Sequence, residues 1–191
     1  MFILKSASPR RKQILSDLGF TFQIEPEHID ESQMEKETPL NYLERMVHSK
    51  LGSHLEPKNI YLSADTIVVY ENQILHKPTD EADAFRILNT LNGKKHSVYS
   101  GAAFWYKSKM KFFYEETSIL FHHWNQTQIQ DYITRCLPFD KAGSYGIQDT
   151  GGPVKEWFGS YTNVMGFPLR SFFSLHEHWM SSWLESITRK D

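Results

Sequence analysis

Cysteine is nearly absent: Cys136 is the single one among 191 residues. That excludes an internal disulfide and favours a reducing compartment, so a cytoplasmic protein is expected. Excess charge of either sign is also lacking. Lys and Arg number 21 and Asp and Glu 23, a net charge of -2. Such a balance excludes a broadly basic nucleic-acid coat and an acidic disordered tail. No apolar run approaches the roughly 18 residues of a membrane span, so no membrane partner is expected. The apolar run in MFILKSASPRR is short and its charges follow it, so a secretory leader is not expected either. Internal repeats, low-complexity tracts and Pro/Gly/Ser linkers are missing, and the chain is expected to form one domain over residues 1–191.

What is present is regular punctuation. Phe2 to Leu4 reads as a buried strand. Ser8-Pro9 reads as an N-cap and first helical residue, with Ile14, Leu15 and Leu18 as the apolar stripe and Gly19 as the stop. Phe20 to Glu25 alternates like a strand, and a polar acidic stretch follows to Glu37. Thr38-Pro39 opens a second helix, with Leu40, Leu43, Met46, Val47 and Leu51 at helical spacing. Tyr61–Ala64 and Thr66–Tyr70 read as two strands flanking Asp65, and Glu71-Asn72 as a hairpin turn. Thr79 or Asp80 caps a third helix carrying Ala84, Phe85, Leu88 and Leu91. Two long strands, His96 to Tyr106 and Phe112 to His122, are joined through KSKM, and Thr127 to Arg135 reads as a helix. Asp140 to Gly152 reads as a loop. A last helix from about Pro168 sets Phe172, Leu175, His176, Trp179 and Trp183 on one face. Helices alternating with strands, broken by one long hairpin, predict an α/β fold with a mixed sheet.

Several segments carry candidate chemistry. Ser6-Ala7-Ser8-Pro9-Arg10-Arg11-Lys12 falls at a strand-to-helix turn, where free backbone N–H groups, two hydroxyls and three cations suit an anion such as phosphate. It lacks the glycines of a Walker loop, and a solvated basic first turn is the plain alternative. Asp65 interrupts an apolar stretch, where an unpartnered carboxylate is costly. It suits a cation ligand, a general base, or a structural turn cap. Asp30 and Glu31 offer oxygen ligands for Mg²⁺ or Mn²⁺, or form a solvated loop. Lys50, Lys77 and Lys141 can neutralise phosphate or be ordinary surface lysines. The glycines around Gln148 let backbone approach a ligand, and the Gln148 amide carries both a donor and an acceptor.

Zinc is not expected. His176 and His178, two apart on a helix, point to different faces, and His122-His123 at a strand end faces both sides. Cys136 reads as a buried apolar residue. The aromatic hairpin with Phe104, Trp105, Tyr106, Phe112, Phe113 and Tyr114 reads as core or dimer surface, not as a base-stacking platform.

SASPRRKQIL, HIDES, SADTIVV, HKPTDEADAFRILNTLNGKKHSVYSG, DKAGSYGIQ and GSYTNVMGFPL stand in one order along the chain. Together they resemble the Maf nucleotide pyrophosphatases over nearly its whole length. The resemblance implies the fold shared with the inosine triphosphatase group: an elongated, twisted mixed sheet with flanking helices and two lobes around a central cleft. It also implies a homodimer, a divalent cation (Mg²⁺ or Mn²⁺), and hydrolysis of a nucleoside triphosphate to a monophosphate and pyrophosphate. By resemblance Asp65 is the general base, Glu31 and Asp65 hold the metal, and Glu31 and Lys77 belong to the catalytic set. Ser6, Ser8, Arg10, Arg11, Lys12 and Lys50 are the implied phosphate contacts.

Specificity in the family tracks the positions held here by Arg10, Thr66 and Gln148. They resemble the branch acting on dTTP, UTP and some modified pyrimidine nucleotides. The sister branch, active on 7-methyl-GTP, carries an acidic residue where Gln148 stands, which suits a positively charged base; neutral Gln148 does not. A nucleotide-sensing regulator of septum formation without turnover is the rival from another class, though such a binder has no need of Glu31, Asp65 and Lys77. Nucleic-acid binding through SPRRK and Lys94-Lys95 is disfavoured by the charge balance.

Lys5, Asp149, Ser100, Val47 and Leu51 depart from the family's usual residues. Lys5 stands beside the phosphate segment in place of a small residue, and Asp149 follows Gln148 in place of a glycine.

The near-neutral total also hides a segregation. Residues 1–12 hold Lys5, Arg10, Arg11 and Lys12 and no acid, giving +4. Residues 25–37 hold Glu25, Glu27, Asp30, Glu31, Glu35 and Glu37 against Lys36, giving -5. A small polyanion and its cation would each be met locally.

Overall fold

The computed structural model describes residues 1–175. Its elements are β1 (Phe2–Lys5), α1 (Pro9–Asp17), β2 (Gln23–Ile24), α2 (Pro39–Leu51), β3 (Ile60–Tyr70), β4 (Gln73–Leu75) and α3 (Glu81–Leu91). There follow β5 (Lys95–Tyr106), β6 (Lys109–Phe121), α4 (Gln126–Cys136), β7 (Val154–Phe158), α5 (Tyr161–Met165) and α6 (Leu169–Ser174). Two short 3₁₀ turns, Pro138–Asp140 and Ala142–Ser144, lie between α4 and β7.

Seven strands form one mixed sheet in the order β2-β1-β3-β5-β6-β7, with β4 also paired to β3. β1 runs parallel to β2 and β3, while β3, β5, β6 and β7 pair antiparallel in turn. This is the mixed α/β sheet that the alternation and the hairpin predict.

Local chemistry accounts for the helix starts. Ser8, Thr38, Asp80 and Asn125 each accept a hydrogen bond from the backbone N–H three residues on, and Asn125 with Gln128 completes a capping box. Both tight hairpins use two consecutive positive-φ residues, Glu71-Asn72 (48° and 64°) and Lys107-Ser108 (47° and 60°). The second turn is therefore narrower than KSKM suggests, and β6 begins at Lys109.

Other expectations need correction. Asp65 does not divide two strands: β3 runs unbroken through it. The Phe20–Glu25 strand shrinks to Gln23–Ile24, because Phe20 and Phe22 instead pack their rings on Phe2 at 5.5 and 6.2 Å. On α2 the buried position belongs to Tyr42, and Leu40 is exposed. On α3, Ile87 is buried where Phe85 is only partly so. Cys136 is half-buried at the edge of a core rather than inside it. β7 went unread because all of it but Val154 is solvent-exposed, leaving no inward apolar face to show. Phe104 and Phe113 are core residues, whereas Tyr114 is exposed. Of the last helix, α6 carries buried Phe172; His176, Trp179 and Trp183 lie outside the described residues.

Three apolar clusters flank the sheet. The alternation of β3 sorts its side chains among them. Ile60, Leu62 and Ala64 enter a cluster with Leu15, Phe113 and Phe172; Val68, on the same face, enters another with Leu88, Ile119 and Tyr132. Thr66 falls in the gap between these two bodies of core. Tyr61 and Ile67 point the other way, into a cluster with Leu43 and Met46 of α2. The two cores on one face are the two lobes, and the gap between them is the cleft.

Pairing also breaks there. β1 stops opposite Ser63, and the pairing of β3 with β4 reaches back only to Val68, opposite Leu75 at the end of β4. Between them, among the described residues, one edge of β3 is left open, while β5 pairs its other edge from Tyr61 to Val69. Asp65 and Thr66 sit on opposite faces of the strand at this open edge, so both can border the same cleft. A parallel strand ending beside an unpaired edge is where α/β folds bind ligands.

One buried group gives a pH test of the fold. His96 of β5 lies 2.9 Å from the Tyr145 hydroxyl, and burial pushes its pKa from 6.5 down to about 4. The unfolded state thus binds the extra proton between these values. The stability is fully present above pH 6.5 and is lost as pH falls toward 4. The loss is about 3 kcal/mol over that window. Urea midpoints measured from pH 7.5 to 4.5 should fall in the native chain and flatten in His96→Gln.

Candidate active site

The chain leaving β1 wraps the open edge of β3 and starts α1 there. Ser6 Oγ accepts from Ser8 N at 3.3 Å, and Ser8 Oγ accepts from Arg11 N at 3.5 Å. This presents the N-terminus of α1 and two hydroxyls to a cleft of about 430 Å³. Arg11 is buried beneath it. Its Nε donates to Gly166 O (2.8 Å), Nη1 to Ser6 Oγ (3.0 Å) and Nη2 to Thr66 Oγ1 (3.1 Å). Nη2 also lies 4.0 Å from Asp65 Oδ1. Burial lowers the Arg11 pKa and the Asp65 charge opposes that shift. A guanidinium with three protein acceptors acts as a bracket between β1, β3 and the loop after α5 rather than as a free phosphate clamp.

The Thr66 hydroxyl has a fixed direction. Ser100 Oγ donates its one proton to Asn163 O at 2.6 Å. In the 2.8 Å contact between Thr66 and Ser100, Thr66 must therefore be the donor. Arg11, Thr66, Ser100 and Asn163 form one donor-to-acceptor chain that leaves Thr66 only a lone pair to offer.

On the other face of β3, Lys50 near the end of α2 sits between two carboxylates. Its Nζ is 2.8 Å from Asp65 Oδ1 and 2.8 Å from Glu31 Oε1. Lys77 Nζ approaches Glu31 Oε2 at 3.9 Å. Burial alone would raise the Glu31 pKa; the hydrogen bond and charge of Lys50 overcome it and hold the carboxyl below its usual value.

The acidic segment that carries Glu31 is not a free loop. Tyr42 Oη donates to Glu31 O (2.8 Å), Arg45 Nη2 to Ser32 O (2.9 Å), and Arg45 pairs with Glu37. Lys5 fastens its start, with Nζ 2.9 Å from Glu27 Oε1 and 3.8 Å from Glu25 Oε2. Lys5 is buried and lines the cleft.

At the far rim, Arg10 Nη1 meets Asp140 Oδ2 at 3.5 Å, and Lys141 Nζ meets Asp140 Oδ1 at 2.7 Å. Burial raises the Asp140 pKa, and the Lys141 hydrogen bond and charge more than offset it. Gln148 is exposed and lines the same cleft.

The sequence candidates thus converge with two exceptions, Asp30 and Lys12; Asp30 is exposed, accepts from Ser32 N at 2.8 Å and is not among the lining residues. Ser6, Ser8, Arg10, Arg11, Glu31, Lys50, Asp65, Thr66, Lys77 and Gln148 all line the cleft. Lys12 does not: it is exposed on α1 and is not among the lining residues, because Arg11 takes the inward position of that turn. Lys5, Glu27 and Tyr145 line the cleft without having been singled out as site residues. Their local signals were the place of Lys5 beside the phosphate segment, that of Glu27 in the acidic stretch and that of Tyr145 among the glycines near Gln148.

Two carboxylate oxygens converging on one ammonium form a hard-oxygen pair suited to a divalent cation. Among the described residues no three His, Cys, Asp or Glu side chains cluster as metal ligands. Two protein oxygens, with water and substrate oxygens completing the shell, is the Mg²⁺-type arrangement.

Fold and site together define a class: a mixed-sheet α/β protein with a cleft that gathers basic side chains, carboxylates and a helix N-terminus. The chain belongs to the Maf family, whose model, Maf-like protein, matches residues 1–179. A protein of Leptospira biflexa serovar Patoc named dTTP/UTP pyrophosphatase is 69% identical over 191 residues, covering all of both chains. One of the same name from Leptospira interrogans serovar Lai is 51% identical over 179 residues, 94% of this chain and 95% of that one. Another, from Geobacter, is 38% identical over 174 residues, 87% and 89% of the two chains. No helix of the described residues is long and apolar enough to cross a membrane.

Proposed function

We propose that this chain hydrolyses dTTP and UTP between the α and β phosphates, releasing the nucleoside monophosphate and pyrophosphate. The observation that carries this reading is the Lys50 ammonium held at 2.8 Å by both Glu31 and Asp65 beside the N-terminus of α1. On this reading the cleft combines a base, a cation site and an anion site, and the relatives' names fit that chemistry.

The triphosphate binds against the α1 N–H groups, the Ser6 and Ser8 hydroxyls and the Arg10 guanidinium. Lys50 and Lys77 neutralise charge on the phosphates. Arg11 holds Ser6, Thr66 and Asp65 in register for that contact. Asp65 accepts a proton from the attacking water as the water oxygen bonds to the α phosphorus and the bridging oxygen leaves with pyrophosphate. Mg²⁺ or Mn²⁺ held by Glu31 and Asp65 supplies Lewis-acid stabilisation of phosphate charge. Arg10, Thr66 and Gln148 face the base end, with Gln148 offering a neutral donor and acceptor and Thr66 a lone pair.

On this reading the chain works as a single domain over residues 1–191, a cytoplasmic homodimer with no membrane or nucleic-acid partner. A nucleotide panel assayed for pyrophosphate with Mg²⁺ or Mn²⁺, with and without EDTA, tests it. Turnover should be greatest with dTTP and UTP, vanish with EDTA, and fall at least tenfold or so with 7-methyl-GTP. If 7-methyl-GTP were the best substrate, the reading of Arg10 and Gln148 would be lost. Nucleotide binding without metal-dependent product would instead mark a regulator.

A further inference from the structure

Gln148 can read a base only if its backbone stays in place, yet residues 145–153 contain no helix or strand. An exposed glutamine on a free loop would lose backbone and rotamer entropy on every binding event. Its neighbours remove that freedom. Asp149 Oδ2 accepts from Gly146 N at 3.0 Å and from the Tyr132 hydroxyl. Asp149 N donates back to Gly146 O at 3.2 Å, closing the turn whose tip is Ile147-Gln148. The Tyr132 hydroxyl in turn accepts from Gly146 N at 3.2 Å.

Tyr132 is 1% exposed on α4, so the anchor is part of the core. Arg135, one turn along α4, donates to Thr150 O and, at 3.2 Å, to Gly151 O. An added Cβ at Gly146 would lie 2.8 Å from Asp149 Oδ1, so a larger residue there would push the Asp149 carboxylate from its place.

We infer that Tyr132 and Asp149 are positioning residues for nucleobase discrimination, holding Gln148 at the cleft rim in its base-reading conformation. The inference rests on the role proposed above for Gln148. It adds that discrimination depends on Asp149, beside Gln148 in the cleft lining, and through it on Tyr132 in the core face of α4.

The test is kcat and KM for UTP, CTP and GTP in the full chain and in the Asp149→Ala, Asp149→Asn, Tyr132→Phe and Gln148→Ala variants, with melting temperatures alongside. Asp149→Ala should lower kcat/KM for UTP about five- to tenfold, mainly through KM, and move the UTP-to-GTP and UTP-to-CTP ratios toward one. Tyr132→Phe, which keeps the ring packing, should move them the same way by about threefold. Asp149→Asn keeps an oxygen for both donors and should restore most of the discrimination. If Asp149→Ala fails to fold, Tyr132→Phe decides.

Unchanged nucleotide ratios in Asp149→Ala and Tyr132→Phe, with only lower melting temperatures, would overturn the inference alone, provided that Gln148→Ala changes them. Unchanged ratios in Gln148→Ala would overturn the proposed role of Gln148 and this inference with it.

Discussion

Asp65→Asn should lower kcat for dTTP and UTP by about 10³-fold. The amide keeps the size of the carboxyl and an oxygen that can still face Lys50 Nζ, now 2.8 Å from Asp65 Oδ1. On the proposed mechanism, what it loses is the charge that accepts the proton of water and half of the oxygen pair offered to the cation. Lys50 retains Glu31 at 2.8 Å, so the cluster is not left as an unpaired ammonium. The fold should therefore persist, with an unchanged circular dichroism spectrum and nucleotide binding within a few-fold. Retention of a tenth or more of the native pyrophosphate release would sink the assignment of Asp65. Complete loss of structure would move its role from chemistry to folding.

Arg11→Met should have the largest effect on stability, about 3–5 kcal/mol. The substitution fills a similar volume and removes every donor. Gly166 O, Ser6 Oγ and Thr66 Oγ1 then each lose the hydrogen bond that Arg11 donates, and Asp65 loses the guanidinium 4.0 Å away. The Thr66–Ser100–Asn163 chain loses its head, and the loop after α5 loses its tie to α1. Activity should fall with stability, because Ser6 and Asp65 are both set by this side chain. Arg11→Lys should rescue little, since one ammonium cannot serve three acceptors lying in different directions. Urea denaturation followed by tryptophan fluorescence measures the first effect. A midpoint near the native value would show that the bracket is not structural.

Much of the fold was legible because its signals are local. Capping serines and threonines, prolines at first helical positions, and the Glu71-Asn72 turn act over three or four residues. The long hairpin and the helices showed through apolar periodicity, which burial of one face imposes. β7 did not, since four of its five residues face solvent. Nor did the continuity of β3. An aspartate amid apolar residues reads as an interruption unless Lys50, fifteen residues away, is known to meet it.

The site divides along the same line. The presence of an anion segment, an acidic segment and an aspartate, and their opposite charges, was written in order along the chain. So was the resemblance that joined them. What adjacent residues would do was not. Arg10, Arg11 and Lys12 are three successive cations, yet one lines the rim, one is buried as a bracket and one faces away. Helical geometry sends neighbours to different sides, and only the packing of α1 on the sheet decides which side is inside. Lys5 likewise carried no sign of being buried until Glu27 was placed 2.9 Å from it.

The scarcity of cysteine and the near-zero net charge excluded whole classes, and the ordered motifs determined the family, because composition and spacing are properties of the chain alone. The cleft itself was decided by tertiary structure. β1 ends opposite Ser63 and β4 ends opposite Val68, and no pattern within either strand specifies that gap. Register is settled between strands, and the cleft edge of β3 is what pairing among the described residues leaves uncovered.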